Sequence, residues 1–303
     1  MCCLFGILDC GQVLSTNQRN TILSILAIES EIRGVDATGI AYNANGLRIF
    51  KRPKPAHKMR FRLPKEAHHI IGHTRMTTQG DERFNRNNHP FSGNINGKSF
   101  TLAHNGVLHN DYELRNTLGL PRTPIETDSY VMVQMLEQCG KLSALALGTM
   151  AEQLQGTFTV TVLDEDNRFY VIRGNNPFCL AYWERWNLYI YASTEEILKS
   201  ALAKIPYLDH PEIVPLQMGE IMQIEKDGTR TISHFIMPEA TPYYPIWENY
   251  PWTPLTKHTD TIYVSNLKHL ASQFGFTPTD VDELLAEGLA PDEIEAFFYG
   301  EEF

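Results

Sequence analysis

Between residues 157 and 192 the chain carries four short runs rich in β-branched and aromatic residues, 157–163, 169–172, 178–183 and 188–192, each separated from the next by turn residues. Two more such runs, near 219–225 and 230–236, bracket Asp227-Gly228. Helical patterning is grouped between the strands instead of alternating with them. Ser15 and Thr16 are N-cap candidates for a helix whose apolar positions Ile22, Leu23, Leu26 and Ala27 recur up to Ile32, with Gly34 as its stop. Residues 38–42 and 47–50 read as a hairpin around Asn45-Gly46. Ser193 is expected to cap a helix over 194–203, with Glu196 completing a capping box. This order favours a layered α+β fold over a doubly wound sheet, and no internal repeat is evident.

The texture changes near Pro238. Five prolines between 238 and 254 alternate with Tyr243, Tyr244, Trp247, Tyr250 and Trp252, and such a density of proline cannot continue a regular element. Residues 262–275 and 280–299 then read as short amphipathic helices with an acidic outer face. The expected organisation is a main domain over 2–237, a Pro/aromatic linker over 238–260 and an acidic helical tail over 261–303. Charge divides the same way. Residues 1–235 hold 24 Lys+Arg against 24 Asp+Glu, whereas the last 68 residues hold 2 against 12. A neutral body with an acidic tail argues against nucleic-acid binding. No apolar run approaches a membrane span and no secretory signal is visible. Five cysteines without paired spacing describe neither a disulfide framework nor a zinc site. The expectation is a cytoplasmic protein with reduced thiols and no metal or cofactor.

Several segments display chemistry-bearing residues where strands give way to loops. Cys2 directly follows Met1, so removal of the methionine would put a thiol and a free amine on one residue. An α-amine, with a reference pKa of about 7.7–8.0, is a base near neutral pH. By itself such a cysteine is more often a small buried residue starting an edge strand. Gly72-His73-Thr74-Arg75-Met76-Thr77-Thr78-Gln79-Gly80 begins as a strand and ends as a glycine-closed loop. Asn87-Asn88-His89-Pro90 ends a polar loop. Residues 100–103 form a strand that delivers His104-Asn105-Gly106 at its end, and Thr127-Asp128-Ser129 opens a helix through Leu136. Residues 48–65 hold eight Lys/Arg and no acid, which reads as a solvated loop or as an anion-docking surface.

Singly these fragments are weak; in order they resemble the class II glutamine amidotransferases, whose glutaminase domains are N-terminal nucleophile (Ntn) hydrolases. That family opens with Met-Cys-Gly-Ile-Phe-Gly or similar, matched here by residues 1–6. Its Arg-Gly-Tyr-Asp-Ser-Ala-Gly-Ile-Ala segment is matched by 33–41, and its Gly-His-Thr-Arg-Trp-Ala-Thr by 72–78. Asn-x-His-Pro is matched by 87–90, followed by His104-Asn105-Gly106 and Thr127-Asp128-Ser129. The 156–158 strand and the Ala192-Ser193 region are also similar. The resemblance spans roughly residues 2–235.

The resemblance implies a four-layer αββα Ntn-hydrolase sandwich, two antiparallel sheets between helical layers, with a short C-terminal helical appendage. It implies that Cys2 attacks the side-chain amide of glutamine while its own α-amine shuttles the proton. Asn105 and Gly106 would form the oxyanion hole. Arg75 would hold the α-carboxylate and Asp128 the α-ammonium, with Thr78 and His89 as supporting contacts. Cys3 stands where the family has glycine, Met76 replaces an aromatic, Gln79 a histidine and Tyr130 an acid. Family members join this domain to a synthase domain of about two hundred residues or more. Only the short tail follows here, without a phosphate-binding glycine loop, so the ammonia acceptor is expected to be a separate protein docking through that tail. A homo-oligomer is compatible with the sequence. Two other readings remain open: a hydrolase of the same fold acting on another γ-glutamyl amide, and a non-catalytic regulatory protein with a degenerate site.

Overall fold

All seven residues of strand β1 (Cys3–Asp9) are buried in the computed structural model, which describes residues 2–208 and 210–238. Residues 264, 267, 268, 271, 276–287, 289 and 294 of the C-terminal part are also described. A strand buried on both faces needs a layer on each side, and alternation assigns them. Cys3, Phe5 and Ile7 point into one apolar core with Ile22, Leu23 and Leu26 of α1 (Thr16–Glu29) and Ile197 and Leu198 of α5 (Glu195–Ala203). Leu4 and Leu8 point the other way, into a core shared with Ala103, Leu163, Phe169 and Met222 of the second sheet.

The first sheet has seven strands in the order β11-β9-β10-β1-β4-β2-β3. They are β2 (Ala37–Asn43), β3 (Leu47–Arg52), β4 (His69–Arg75), β9 (Cys179–Trp183), β10 (Leu188–Ala192) and β11 (Glu212–Val214), with β1 near the centre. The second sheet has six strands in the order β13-β12-β8-β7-β6-β5. They are β5 (Phe91–Ile95), β6 (Lys98–Leu108), β7 (Gly156–Asp164), β8 (Phe169–Arg173), β12 (Glu220–Ile224) and β13 (Arg230–His234). Every pairing is antiparallel. Helices α3 (Tyr130–Gln138) and α4 (Ala144–Ala151) cover the outer face of the second sheet through Val131, Met132, Met135 and Leu147. Short α2 (Asp111–Thr117) adds Leu114. The result is the four-layer αββα sandwich that the resemblance implied.

Four local readings change. The helix from Thr16 ends at Glu29, and Ser30–Arg33 tightens into a 3-10 turn. Residues 104–106 do not follow a strand end; they lie inside β6, whose ladder with β7 runs unbroken from Phe100↔Asp164 to Leu108↔Gly156. Thr194, not Ser193, caps α5 by accepting from the Ile197 N–H at 3.3 Å, which leaves the Ser193 side chain free to turn inward. Strands β5 and β11 and helices α2 and α4 carried too little periodicity to be read from sequence. Ser15 caps α1 as expected, with Gln18 closing the capping box, a motif that contributes about 1 kcal/mol.

The chain divides into two compact units, Met1–Pro242 and Tyr243–Phe303. Within the second, α6 (Pro278–Ala286) starts at a Thr277/Asp280 capping box, and Lys268 pairs with Asp282 at 2.5 Å. The Pro/aromatic linker from 239 onward, most of the helix expected at 262–275 and most of the 280–299 stretch beyond residue 287 lie outside the described residues.

Candidate active site

The site lies at one end of the sandwich, where β1 begins and β4 ends. Parity along β1 sends Cys2 to the same face as Leu4, between the sheets, and sends Cys3 to the helix-side core. Cys3 is fully buried there, with its thiol donating to Leu4 O at 3.3 Å. It is a small core residue, turned away from the face that Cys2 shares with Leu4. The Cys2 thiol is buried and donates to Met76 O at 3.4 Å, and the Cys2 carbonyl accepts from Arg33 Nε at 3.0 Å. Burial pushes the thiol pKa up, while the Met76 contact and the Arg75 charge oppose the rise and the Asp128 charge adds to it. The charges of Arg75 and Asp128 therefore both reach the thiol.

Arg75 closes β4 and is buried. Its Nη1 donates to Asn88 Oδ1 at 2.7 Å, and its Nη2 donates to the carbonyls of Gln79 and Gly80, the latter at 2.8 Å. Asp128, on the facing side before α3, is also buried; its Oδ2 accepts from the Leu108 N–H at 2.7 Å and its Oδ1 from Ser129 Oγ at 3.2 Å. Among the described residues neither Arg75 nor Asp128 takes part in an ion pair. Two opposite buried charges, neither in a direct ion pair among the described residues, suit a ligand that brings an ammonium and a carboxylate itself.

Asn105 and Gly106 present themselves from inside β6. Asn105 is buried, its Oδ1 has no partner, and its Nδ2 donates to Ser193 Oγ at 3.3 Å. Gly106 has φ +147, and a Cβ there would lie 1.9 Å from Thr157 O on β7. The Gly106→Ala variant is expected to part the β6–β7 ladder, lowering Tm by roughly 10 °C or more or leaving no soluble protein. Thermal melts of the two proteins check this.

The other expected contacts divide. Thr78 is exposed, whereas the neighbouring Thr77 hydroxyl is buried without a partner among the described residues and the Thr77 N–H donates to Asp36 Oδ2 at 2.7 Å. His89 is buried with both ring nitrogens unpartnered, its ring 4.2 Å from that of His73 and 4.5 Å from that of Phe91. The sequence assigns no role at the site to Arg33, Asn88 or Ser193. Arg33 and Asn88 lie inside matched segments, which is the available signal, and Ser193 reads there as a helix cap.

Burial lowers the pKa of His73 to about 3, of His69 to about 4, and pushes those of His89 and His104 down as well. In the unfolded chain these rings titrate near 6.5, so below that pH the unfolded state binds more protons and stability is lost as pH falls. Each such histidine steepens the loss by up to about 1.4 kcal/mol per pH unit. Urea midpoints are expected to fall continuously from pH 6.5 to pH 4.5. A flat profile over that range would show that the rings are not held neutral.

From the basic run, Lys51 alone turns inward: its ammonium donates to Asn88 O at 2.5 Å and Pro90 O at 2.9 Å, and burial lowers its pKa to about 8. It thus fixes the loop whose Asn88 holds Arg75. Among the described residues no cluster of His, Cys, Asp and Glu could hold a metal ion, and no helix is long and apolar enough to cross a membrane.

Comparison with known proteins identifies a family and a fold for this chain. The family described as glutamine amidotransferases class-II matches residues 28–207. Glutamine–fructose-6-phosphate aminotransferase [isomerizing] of Bacillus subtilis (strain 168) is 31% identical over 167 residues, 52% of this chain and 27% of that protein. The protein of that name from Staphylococcus aureus (strain N315) is 30% identical over 212 residues, 65% of this chain and 34% of its own. The chain therefore spans about a third of the length of these relatives. Among solved structures, glutamine phosphoribosylpyrophosphate amidotransferase from B. subtilis, complexed with ADP and GMP, superposes with a TM-score of 0.63 at 19% identity. The superposition covers 78% of this chain and 49% of that one, and it establishes the likeness of fold.

Proposed function

The chain belongs to the class II glutamine amidotransferases, and on that premise we propose that it hydrolyses the side-chain amide of free L-glutamine and hands the ammonia to a separate acceptor enzyme. The observation that carries the choice of substrate is the pair of buried charges, Arg75 and Asp128, each without an ion-pair partner among the described residues. A free amino acid supplies both partners at once, whereas a glutamine within a polypeptide supplies neither.

The chemistry follows from the residues around Cys2. With Met1 removed, the α-amine of Cys2 takes the thiol proton as Sγ bonds to the amide carbon, and the carbonyl π electrons move to oxygen. The oxyanion so formed would be stabilised by Asn105 Nδ2 and the Gly106 N–H. The amine returns its proton to the leaving nitrogen, ammonia departs, and a γ-glutamyl thioester remains on Cys2. Water, deprotonated by the same amine, attacks the thioester and releases glutamate. Arg33, by holding the Cys2 carbonyl, fixes the residue that carries both nucleophile and base. The Met76–Gly80 segment supplies carbonyls to both the Cys2 thiol and Arg75, so a bound α-carboxylate would exchange with those carbonyls.

The acidic last 68 residues, with 12 Asp+Glu against 2 Lys+Arg, are the proposed docking element for the acceptor enzyme. The five cysteines are all free, which accords with a reducing, cytoplasmic setting. The test is a glutaminase assay on the purified chain, following glutamate and ammonia together. Equimolar release from L-glutamine supports the reading. Faster turnover of γ-glutamyl amides than of glutamine, or no turnover of either, overturns it.

A further inference from the structure

Ser193 follows β10 directly and its side chain is fully buried between the two sheets' ends. Its Oγ accepts from the Leu4 N–H at 2.8 Å and from Asn105 Nδ2 at 3.3 Å. One hydroxyl thereby ties the first strand, two residues after the nucleophile, to the oxyanion residue on the facing sheet. Two groups in this contact are left unsatisfied. The hydroxyl proton of Ser193 has no acceptor among the described residues, and Asn105 Oδ1 is buried with no donor.

A half-turn of the Asn105 amide about its Cβ–Cγ bond satisfies both groups. Oδ1 then accepts the Ser193 proton, and Nδ2 takes the position of the unpartnered oxygen. The carboxamide is nearly symmetric in shape, so only its hydrogen bonds decide which end faces where. The Leu4 N–H can only donate, which obliges Ser193 to accept there and leaves its proton for the amide. The end of the amide that Ser193 does not hold is the end presented to a ligand. An oxygen at that end would repel an oxyanion; an N–H donates to it.

We propose that Ser193 is a positioning residue that orients the Asn105 amide so that Nδ2 faces the reacting carbonyl. The inference rests on the glutaminase reading and adds a residue to it. Ser193 touches neither substrate nor thiol; it acts through Asn105. Its loss should therefore slow the chemistry and leave the binding of the amino-acid end alone, because Arg75 and Asp128 make those contacts.

The experiment is a double-mutant cycle on Ser193→Ala and Asn105→Ala in the full chain, reading kcat, KM for glutamine and the inhibition constant of glutamate. Asn105→Ala is expected to lower kcat by roughly 10²–10³-fold and Ser193→Ala by roughly ten- to a hundred-fold. KM and the glutamate constant should stay within about two-fold for Ser193→Ala. In the Asn105→Ala background, adding Ser193→Ala should cost nothing more. If the alanine variant does not fold, Ser193→Cys, closer in volume and a weaker donor, enters the same cycle with the same expectation. A Ser193→Ala enzyme as fast as wild type, or a loss that multiplies with that of Asn105→Ala, overturns the proposal. The multiplying outcome would assign Ser193 to holding β1 alone. A wild type that releases no glutamate overturns the glutaminase reading itself, and this inference with it.

Discussion

Cys2→Ala is expected to reduce glutamate release from L-glutamine by roughly 10⁴-fold or more, since the nucleophile is the one group whose loss leaves only binding and oxyanion stabilisation. The fold should survive, because Cys2 sits at the edge of the inter-sheet core and alanine leaves at most a small void. Cys3→Ala is the informative companion. Its side chain lies in the helix-side core, so it should lower stability by about 1 kcal/mol and leave turnover within a few-fold of wild type. A glutamine-analogue electrophile should add one equivalent to the wild type and to Cys3→Ala, and none to Cys2→Ala, by intact-protein mass. Labelling of Cys3 in the Cys2→Ala protein would show that parity along β1 does not separate the two thiols. The same mass measurement reports whether Met1 has been removed. A protein that retains it carries no free amine on Cys2, and with burial holding the thiol pKa high it should turn over far more slowly.

Removing either of the buried charges proposed to hold glutamine should raise KM and lower kcat/KM by about two to three orders of magnitude. Arg75→Met leaves the glutamine carboxylate buried without a counter-ion, and Asp128→Asn does the same to the ammonium. Breaking one side of a buried charge pair costs roughly 3–5 kcal/mol. Asp128→Asn keeps an acceptor for the Leu108 N–H, so its effect should lie in binding and not in folding. Arg75→Lys keeps the charge but not the fork that now spans Asn88, Gln79 and Gly80, and should fall between wild type and methionine. Steady-state kinetics with glutamine, with inhibition by glutamate as the binding readout, check all three. If Asp128→Asn binds glutamate as well as wild type does, the ammonium is held elsewhere.

Much of this site was legible in the chain because its parts are local. Ordered short segments carried Cys2, Arg75, Asn105-Gly106 and Asp128, and the structure brings Cys2, Arg75 and Asp128 within electrostatic reach of one another. The strand runs and the Asn45-Gly46 hairpin announced sheets, since alternation and turn chemistry are properties of neighbouring residues. What stayed hidden depends on residues far apart in sequence. Thr78 matched a motif yet is exposed, while the hydroxyl of Thr77 beside it is buried, with Asp36 holding the Thr77 N–H. Ser193 looked like a cap because Ser before an acidic helical turn usually is one. That Thr194 caps instead, and that Ser193 reaches Leu4 and Asn105, follows only from the packing of β10 against β1 and of one sheet on the other.

The sequence by itself carried the family resemblance and the layered α+β architecture, since both are written in short ordered runs of neighbouring residues. Only the tertiary structure decided which of two adjacent thiols turns toward the space between the sheets, that Arg75 and Asp128 are buried without a direct ion pair among the described residues, and what holds the Asn105 amide. Those are properties of the space between two sheets. That space exists only once strands more than a hundred residues apart have paired and closed over it.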